Sequence, residues 1–266
     1  MTLFVQELKQ NYFSTLIWLV LLIVCNILLL TSFQATAELA QSTEAFLAQY
    51  PQEFIQALHL DVLEMTDVLH FYARRAQLLT AILGSAFAGI LGATMLTKEE
   101  SEQTSEFLLA KPISRGNILM GKFASVVVLV TLFNGIFALS NFVLLRLFQL
   151  TDFRMDSFLW LTLGTWLLHL FFACIGFFIS GFTISIKTSL SLVLGSILVL
   201  YVISLIPALQ EKLAFFRFLT PFSYFNTKDL VVERKIQGVY LLLFLMGCTL
   251  FLGITWYHYR HKDINS

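Results

Sequence analysis

A chain of 266 residues that is 58% hydrophobic, holds 27 phenylalanines and has a mean hydropathy of +0.79 carries more apolar surface than one water-soluble core can hide. Its 17 cations balance its 17 anions and no basic tail stands out, so nothing favours a nucleic acid as partner. The class is an all-α integral membrane protein.

A membrane span needs about 20 mostly apolar residues. Six segments meet that length: Ser14–Phe33, Ala76–Leu96, Lys122–Phe148, Ser157–Ile186, Ser189–Ala208 and Gly238–Tyr259. Six transmembrane helices put both termini on one side. The first is followed by Ala35-Thr36-Ala37, which has the small-x-small form of a leader cleavage site. Glu7 offsets Lys9 before it, however, and the apolar run is long, so an uncleaved span is expected.

Residues 34–75 read as an outer helical hairpin between spans one and two, broken near Pro51. Leu58, Val62, Met65, Leu69 and Tyr72 fall on one helical stripe, with Asp61, Glu64 and Asp67 opposite. An interfacial segment against the spans or lipid headgroups accounts for this pattern. His59, Asp67 and His70 are spaced poorly for a metal, and no metal site is expected.

Span two carries two stripes of small residues, Ala81-Ser85-Gly89-Ala93 and Gly84-Ala88-Gly92. Small side chains let helix backbones approach, so Gly84, Ala88, Gly89 and Gly92 are candidate helix-packing positions, facing either this chain or a second copy. Asn26, Gln77, Asn134, Asn141 and His169 are the polar residues inside the spans and are expected to hydrogen-bond between helices. No carboxylate lies at mid-span, which weighs against an ion-coupled carrier. Cys25, Cys174 and Cys248 sit in apolar runs as small hydrophobes.

Between spans two and three lies Lys98–Lys122, KEESEQTSEFLLAKPISRGNILMGK, with eight charged side chains in 25 residues. Thr97 stands three residues before Glu100, a capping-box spacing that predicts the start of a new helix. Glu99, Glu102 and Glu106 then share one face, with Ser101, Thr104 and Leu108 opposite. Pro112 ends that helix near Ala110, and Ser114 caps the next. Within the block, GNILMGKF nearly spells a phosphate-binding loop, but Phe123 replaces the magnesium-binding hydroxyl and no strand precedes it. Glu99-Glu100 resembles the glutamate pair of CAAX-type intramembrane proteases, but the Arg expected four residues on is missing. No pattern places a serine beside His169.

The outer segment 210–237 mixes aromatic pairs, Pro221 and charges, which predicts short helices at or dipping into the outer leaflet. Lys and Arg divide eight to nine between the two sides and do not orient the chain. Residues 34–73 nevertheless lack any cation, and the last span ends in aromatics followed by Arg260 and Lys262. Both termini are therefore expected in the cytoplasm.

Glu102, Thr104, Glu106, Leu108 and Leu109, then Pro112-Ile113-Ser114-Arg115 and Gly121-Lys122, give the chain a family look. Together with six spans, they resemble the permease subunit of ABC-2 type ATP-binding-cassette exporters. One departure is Gln103, where the family usually carries Gly. The resemblance implies a single transmembrane domain over 1–266, with a cytoplasmic coupling region at 98–117. It implies that Glu99, Glu102, Thr104, Glu106, Leu108, Leu109, Pro112, Ser114 and Arg115 meet a separate ABC ATPase subunit, which binds ATP and magnesium. A second permease copy or paralogue, making two permeases and two ATPases, is part of the same implication. The chain itself is then no enzyme and needs no cofactor. Its expected role is export of a hydrophobic or amphipathic substrate, such as a peptide, antibiotic or lipid, across the plasma membrane. An intramembrane enzyme or a non-transporting membrane scaffold is the alternative.

Overall fold

The computed structural model describes residues 3–47, 68–102, 114–148, 153–209, 211–227 and 229–261, and among these every regular element is helical. Among the described residues, six helices are long and apolar enough to cross a membrane. They are span 1 (Leu3–Leu47), span 2 (Gln77–Thr94), span 3 (Arg115–Phe148), span 4 (Met155–Phe182), span 5 (Ile186–Leu209) and span 6 (Gly238–His261). Hydrocarbon offers no hydrogen bonds, so each backbone N–H and C=O must be satisfied inside its own helix. The chain is a multi-pass membrane protein.

Span 1 departs most from expectation. Its helix starts at Leu3 instead of Ser14 and continues unbroken through Leu47. At 1.5 Å per residue its 45 residues extend about 68 Å, more than twice a hydrocarbon core of about 30 Å. The first part of the expected outer hairpin is thus a continuation of the span, and the break near Pro51 lies outside the described residues. On the returning side, Val68–Phe71 and a π-helical turn at Tyr72–Ala76 run directly into span 2. Leu69 and Tyr72 of the predicted apolar stripe are buried there. Phe71 meets Phe33 of span 1 at 5.2 Å between ring centroids. Leu58, Val62 and Met65 are not among the described residues, nor are His59 and Asp67, and only the backbone of His70 is described.

Spans 2 and 4 form the centre of the bundle and share its most extensive contact. The small-residue stripes of span 2 face this chain's own span 4. A β-carbon on Gly84 would overlap the His169 ring, and one on Gly92 would stand 2.7 Å from the Phe177 backbone nitrogen. The seam has the same character from the other side, since a β-carbon on Gly176 would strike the Gly89 carbonyl. Gly89 also meets Val193 of span 5, and Ala88 is fully buried beside them. Span 1 packs along span 3, and span 6 against span 4.

Span 4 ends at Phe182, four residues earlier than expected, because Thr183 is extended at φ −112° and ψ 144°. Segment 210–237 forms short helices as expected. A 3₁₀ helix at Glu211–Phe218 packs on span 5, and one α-turn at Pro221–Tyr224 and a π turn at Asp229–Glu233 fold over spans 4, 5 and 6. Tyr224 stacks on Tyr240, and Ser157 donates to the Val231 carbonyl at 2.8 Å.

The seam yields a direct test. Gly176→Val forces apart two backbones, so it should destabilise the protein by about 1–3 kcal/mol or more. Gly135→Val, at a glycine with nothing within 4 Å of its would-be β-carbon, should be close to neutral. Thermal unfolding of both variants in detergent checks the contrast.

Candidate functional site

One end of the bundle collects the beginning of span 1, the segment after span 2, the start of span 3 and the end of span 6. Its centre is Lys122, whose side chain has no exposure. An ammonium has three N–H donors, and all three are used: on Glu7 at 2.7 Å, on the Met95 carbonyl at 2.8 Å and on Glu99. Glu7, also buried, takes Lys98 on its other oxygen, and Lys98 reaches Gln10 at 2.8 Å. Two carboxylates and two ammonium groups thus alternate in a chain, Lys98–Glu7–Lys122–Glu99, that joins three helices. Burial pushes the Glu99 carboxyl above its ordinary value. The attraction of Lys122 only partly offsets this, with Glu7 close by adding repulsion.

A second cluster, of hydroxyls, lies beside the first. Thr97 is fully buried and its hydroxyl sits 3.0 Å from the Ala93 carbonyl, 3.0 Å from Ser189 and 3.2 Å from Thr183. The capping-box expectation is therefore corrected. Thr97 lies inside the short helix Thr97–Ser101, the residue before it is already helical, and no side-chain cap bond forms there. The threonine instead ties the exit of span 2 to the turn between spans 4 and 5. Ser114 does cap the following helix, accepting the Asn117 N–H at 3.2 Å.

The predicted coupling residues separate into two groups. Glu99 turns inward to Lys122, whereas Glu102 is exposed at the end of the short helix. Ser114 and Arg115 lie at the start of span 3, where an Arg115 guanidinium N–H donates to the Arg260 carbonyl at 3.4 Å. Gly116 packs against Trp256. Thr104, Glu106, Leu108, Leu109 and Pro112 fall outside the described residues. The near-match GNILMGKF is continuous helix within span 3, and its lysine is the one consumed by Glu7, Glu99 and Met95. Neither the loop nor the ammonium that a phosphate requires is present in that segment.

Polar residues inside the spans pair between helices as expected. Asn26 of span 1 donates to Thr80 of span 2 at 3.5 Å, and Gln77 donates to Thr165 of span 4. His169 is held at 2.9 Å by Asn134 of span 3 and at 3.3 Å by the Thr80 carbonyl. Both imidazole nitrogens face protein oxygens, and neither faces a serine. Asn141 donates to the Tyr72 phenol at 3.0 Å. Among the described residues no group of three or more His, Cys, Asp or Glu is placed to hold a metal ion.

From the sequence Glu7 is only an offset to Lys9, and Lys122 is the start of a span, the lysine of a false phosphate loop and part of the family motif, but not the centre of an ion cluster. A charged residue on the helix that enters a membrane is the available signal, because such a charge requires a partner. Its partners, 91 and 115 positions away, carry no local pattern.

Comparison with known families adds one finding. Residues 1–264 match the family described as "ABC-2 family transporter protein". No curated protein matches the chain significantly.

Removing Lys122 takes one of two ammonium groups from the buried Glu7 and the half-buried Glu99. Lys122→Met should therefore cost about 3–5 kcal/mol in unfolding free energy. Adding Glu99→Gln to that variant should recover part of the loss, since it neutralises one orphaned carboxylate. Denaturant titrations of the wild type, single and double variants in detergent measure both effects.

Proposed function

Because the chain belongs to the ABC-2 family of transporter proteins, we propose that it is the membrane-spanning permease subunit of an ATP-driven exporter. It sits in the plasma membrane with both termini in the cytoplasm and moves a hydrophobic or amphipathic substrate outward. ATP and magnesium belong to a separate ABC ATPase subunit, which docks on residues 98–117. Two permease chains, identical or paralogous, pair above two such ATPases.

The observation that carries this reading is the double anchoring of the segment leaving span 2. The Lys122 cluster ties it to spans 1 and 3, and the Thr97 cluster ties it to spans 4 and 5. A push delivered there is passed to spans 1 and 3 through paired ions and to spans 4 and 5 through hydroxyls. Breaking the ionic part would leave buried charge uncompensated, so that part moves as a unit. Glu102, exposed at the tip of the short helix, and Glu106 present the negative charge that an ATPase would meet with cations. Leu108 and Leu109 supply the apolar part of that contact. Glu99 acts differently in this scheme. It transmits the push inward through Lys122 instead of meeting the ATPase.

Charge reversal separates docking from folding. Glu102→Arg or Glu106→Arg should abolish export and uncouple ATP hydrolysis by a co-expressed ABC ATPase, while the permease still inserts and unfolds at the wild-type temperature. Substrate efflux, ATPase activity of the co-purified complex and membrane abundance are the measurements. Intact ATPase pairing and export in both variants would overturn the docking role.

A further inference from the structure

At the end of the bundle opposite the Lys122 cluster, a pocket with about 20 Å³ of room lies between spans 2, 3 and 4. Its polar lining comes from Tyr72, Gln77, Asn134, Asn141, Thr162 and Thr165. That volume accommodates one water-sized group. Asn141 is 3% exposed, and its amide oxygen is buried without a partner. A buried acceptor left unpaired in a membrane bundle is costly, and native structures nearly always supply a donor.

The hydrogen bonds of the neighbouring polar groups run to other partners. An Asn141 amide N–H goes to the Tyr72 phenol. Thr162 donates to the Phe158 carbonyl at 2.9 Å, and Thr165 donates to Leu161 at 2.7 Å. Asn134 donates to the Val130 carbonyl, and its oxygen faces His169. None of these bonds reaches the Asn141 side-chain oxygen, which is left as the pocket's unpaired acceptor. Ala138 and Thr162 on its rim are partly exposed, so the site is reached through the seam between spans 3 and 4.

We propose that this pocket binds one small hydrogen-bond donor, an O–H or N–H group of about a water's size, with the Asn141 side-chain oxygen as its acceptor. Two sources supply that chemistry: water itself, or the polar head of an amphiphile dissolved in the membrane with its tail left in lipid. Asn26 provides an internal reference. Its amide oxygen is also buried and unpaired, but it does not line this pocket.

Solid-state NMR of the asparagine-labelled full chain in phosphatidylcholine vesicles tests the site, with proton transfer from water to each side-chain amide as the readout. A water contact at Asn141 that is missing at Asn26 is expected. If 1-dodecanol replaces it with a contact to the alcohol, and dodecane does not, the amphiphile is the occupant. If dodecanol has no effect, the occupant is water. In Asn141→Leu the water contacts of Thr162 and Thr165 should be lost while the His169–Asn134 contact persists. Should that variant lose the His169–Asn134 contact as well, the wild-type comparison of Asn141 with Asn26 decides. Absence of any water or dodecanol contact at Asn141 overturns the proposal.

Discussion

Spans 2 and 4 touch backbone to backbone, and that contact decides where the other helices lie. Gly84, Gly92 and Gly176 remove the side chains that would hold the two axes apart. In lipid there is little hydrophobic gain in bringing helices together, so close packing and interhelical hydrogen bonds must supply the attraction. The seam allows both. The His169 ring sits in the space Gly84 leaves open, and from there it reaches Asn134 on span 3 and the Thr80 carbonyl. At the far end of the same seam Thr97 is brought within reach of Thr183 and Ser189. A bulkier seam would separate these groups and leave each one unsatisfied in a medium without water.

The Lys122 cluster obeys a harsher form of the same rule. Taking an ion out of water costs several kcal/mol even after relaxation, so a buried lysine is tolerable only with its donors filled and its charge balanced. Glu7, Glu99 and Met95 fill the donors, and Lys98 balances the second carboxylate. Such a cluster adds little net stability over apolar packing, but it is specific in register. Shifting span 1 by one turn against span 3 would carry Glu7 about 5 Å from Lys122. The ions thus fix which turn of span 1 faces which turn of span 3, a selection that a Leu-rich interface makes weakly.

How much of this could be read from the residues follows from the range of each interaction. The helices were legible because 20 consecutive apolar residues constrain themselves, and five of the six end within a few residues of expectation. The apolar run of span 1 ends at Phe33 as read, but its backbone continues the same helix through Leu47, which the polar character of Gln34–Leu47 does not announce. The Ser114 cap, acting over three residues, was legible, whereas Thr97 was not. Its spacing to Glu100 mimics a capping box, and only its burial against spans 4 and 5 shows that the hydroxyl faces inward. The amides and His169 announced themselves as polar groups in lipid without naming their partners. Glu7 is the clearest loss: from the sequence it is one charge in a mixed leader, and 115 residues separate it from Lys122.

The two anchors beside the proposed coupling region differ in how they would respond to displacement. Hydroxyls such as Thr97, Thr183 and Ser189 each both donate and accept, so the cluster can exchange partners by rotating a C–O bond while staying hydrogen-bonded. The ionic cluster has no such freedom. A Lys122 that leaves Glu99 abandons a buried carboxylate, so spans 1 and 3 must follow the segment or the cluster must break. Displacement at residues 98–102 would then be passed rigidly to spans 1 and 3 and with slip to spans 4 and 5. In the proposed coupling scheme, the two pairs of helices would then move relative to each other along the face lined by hydroxyls.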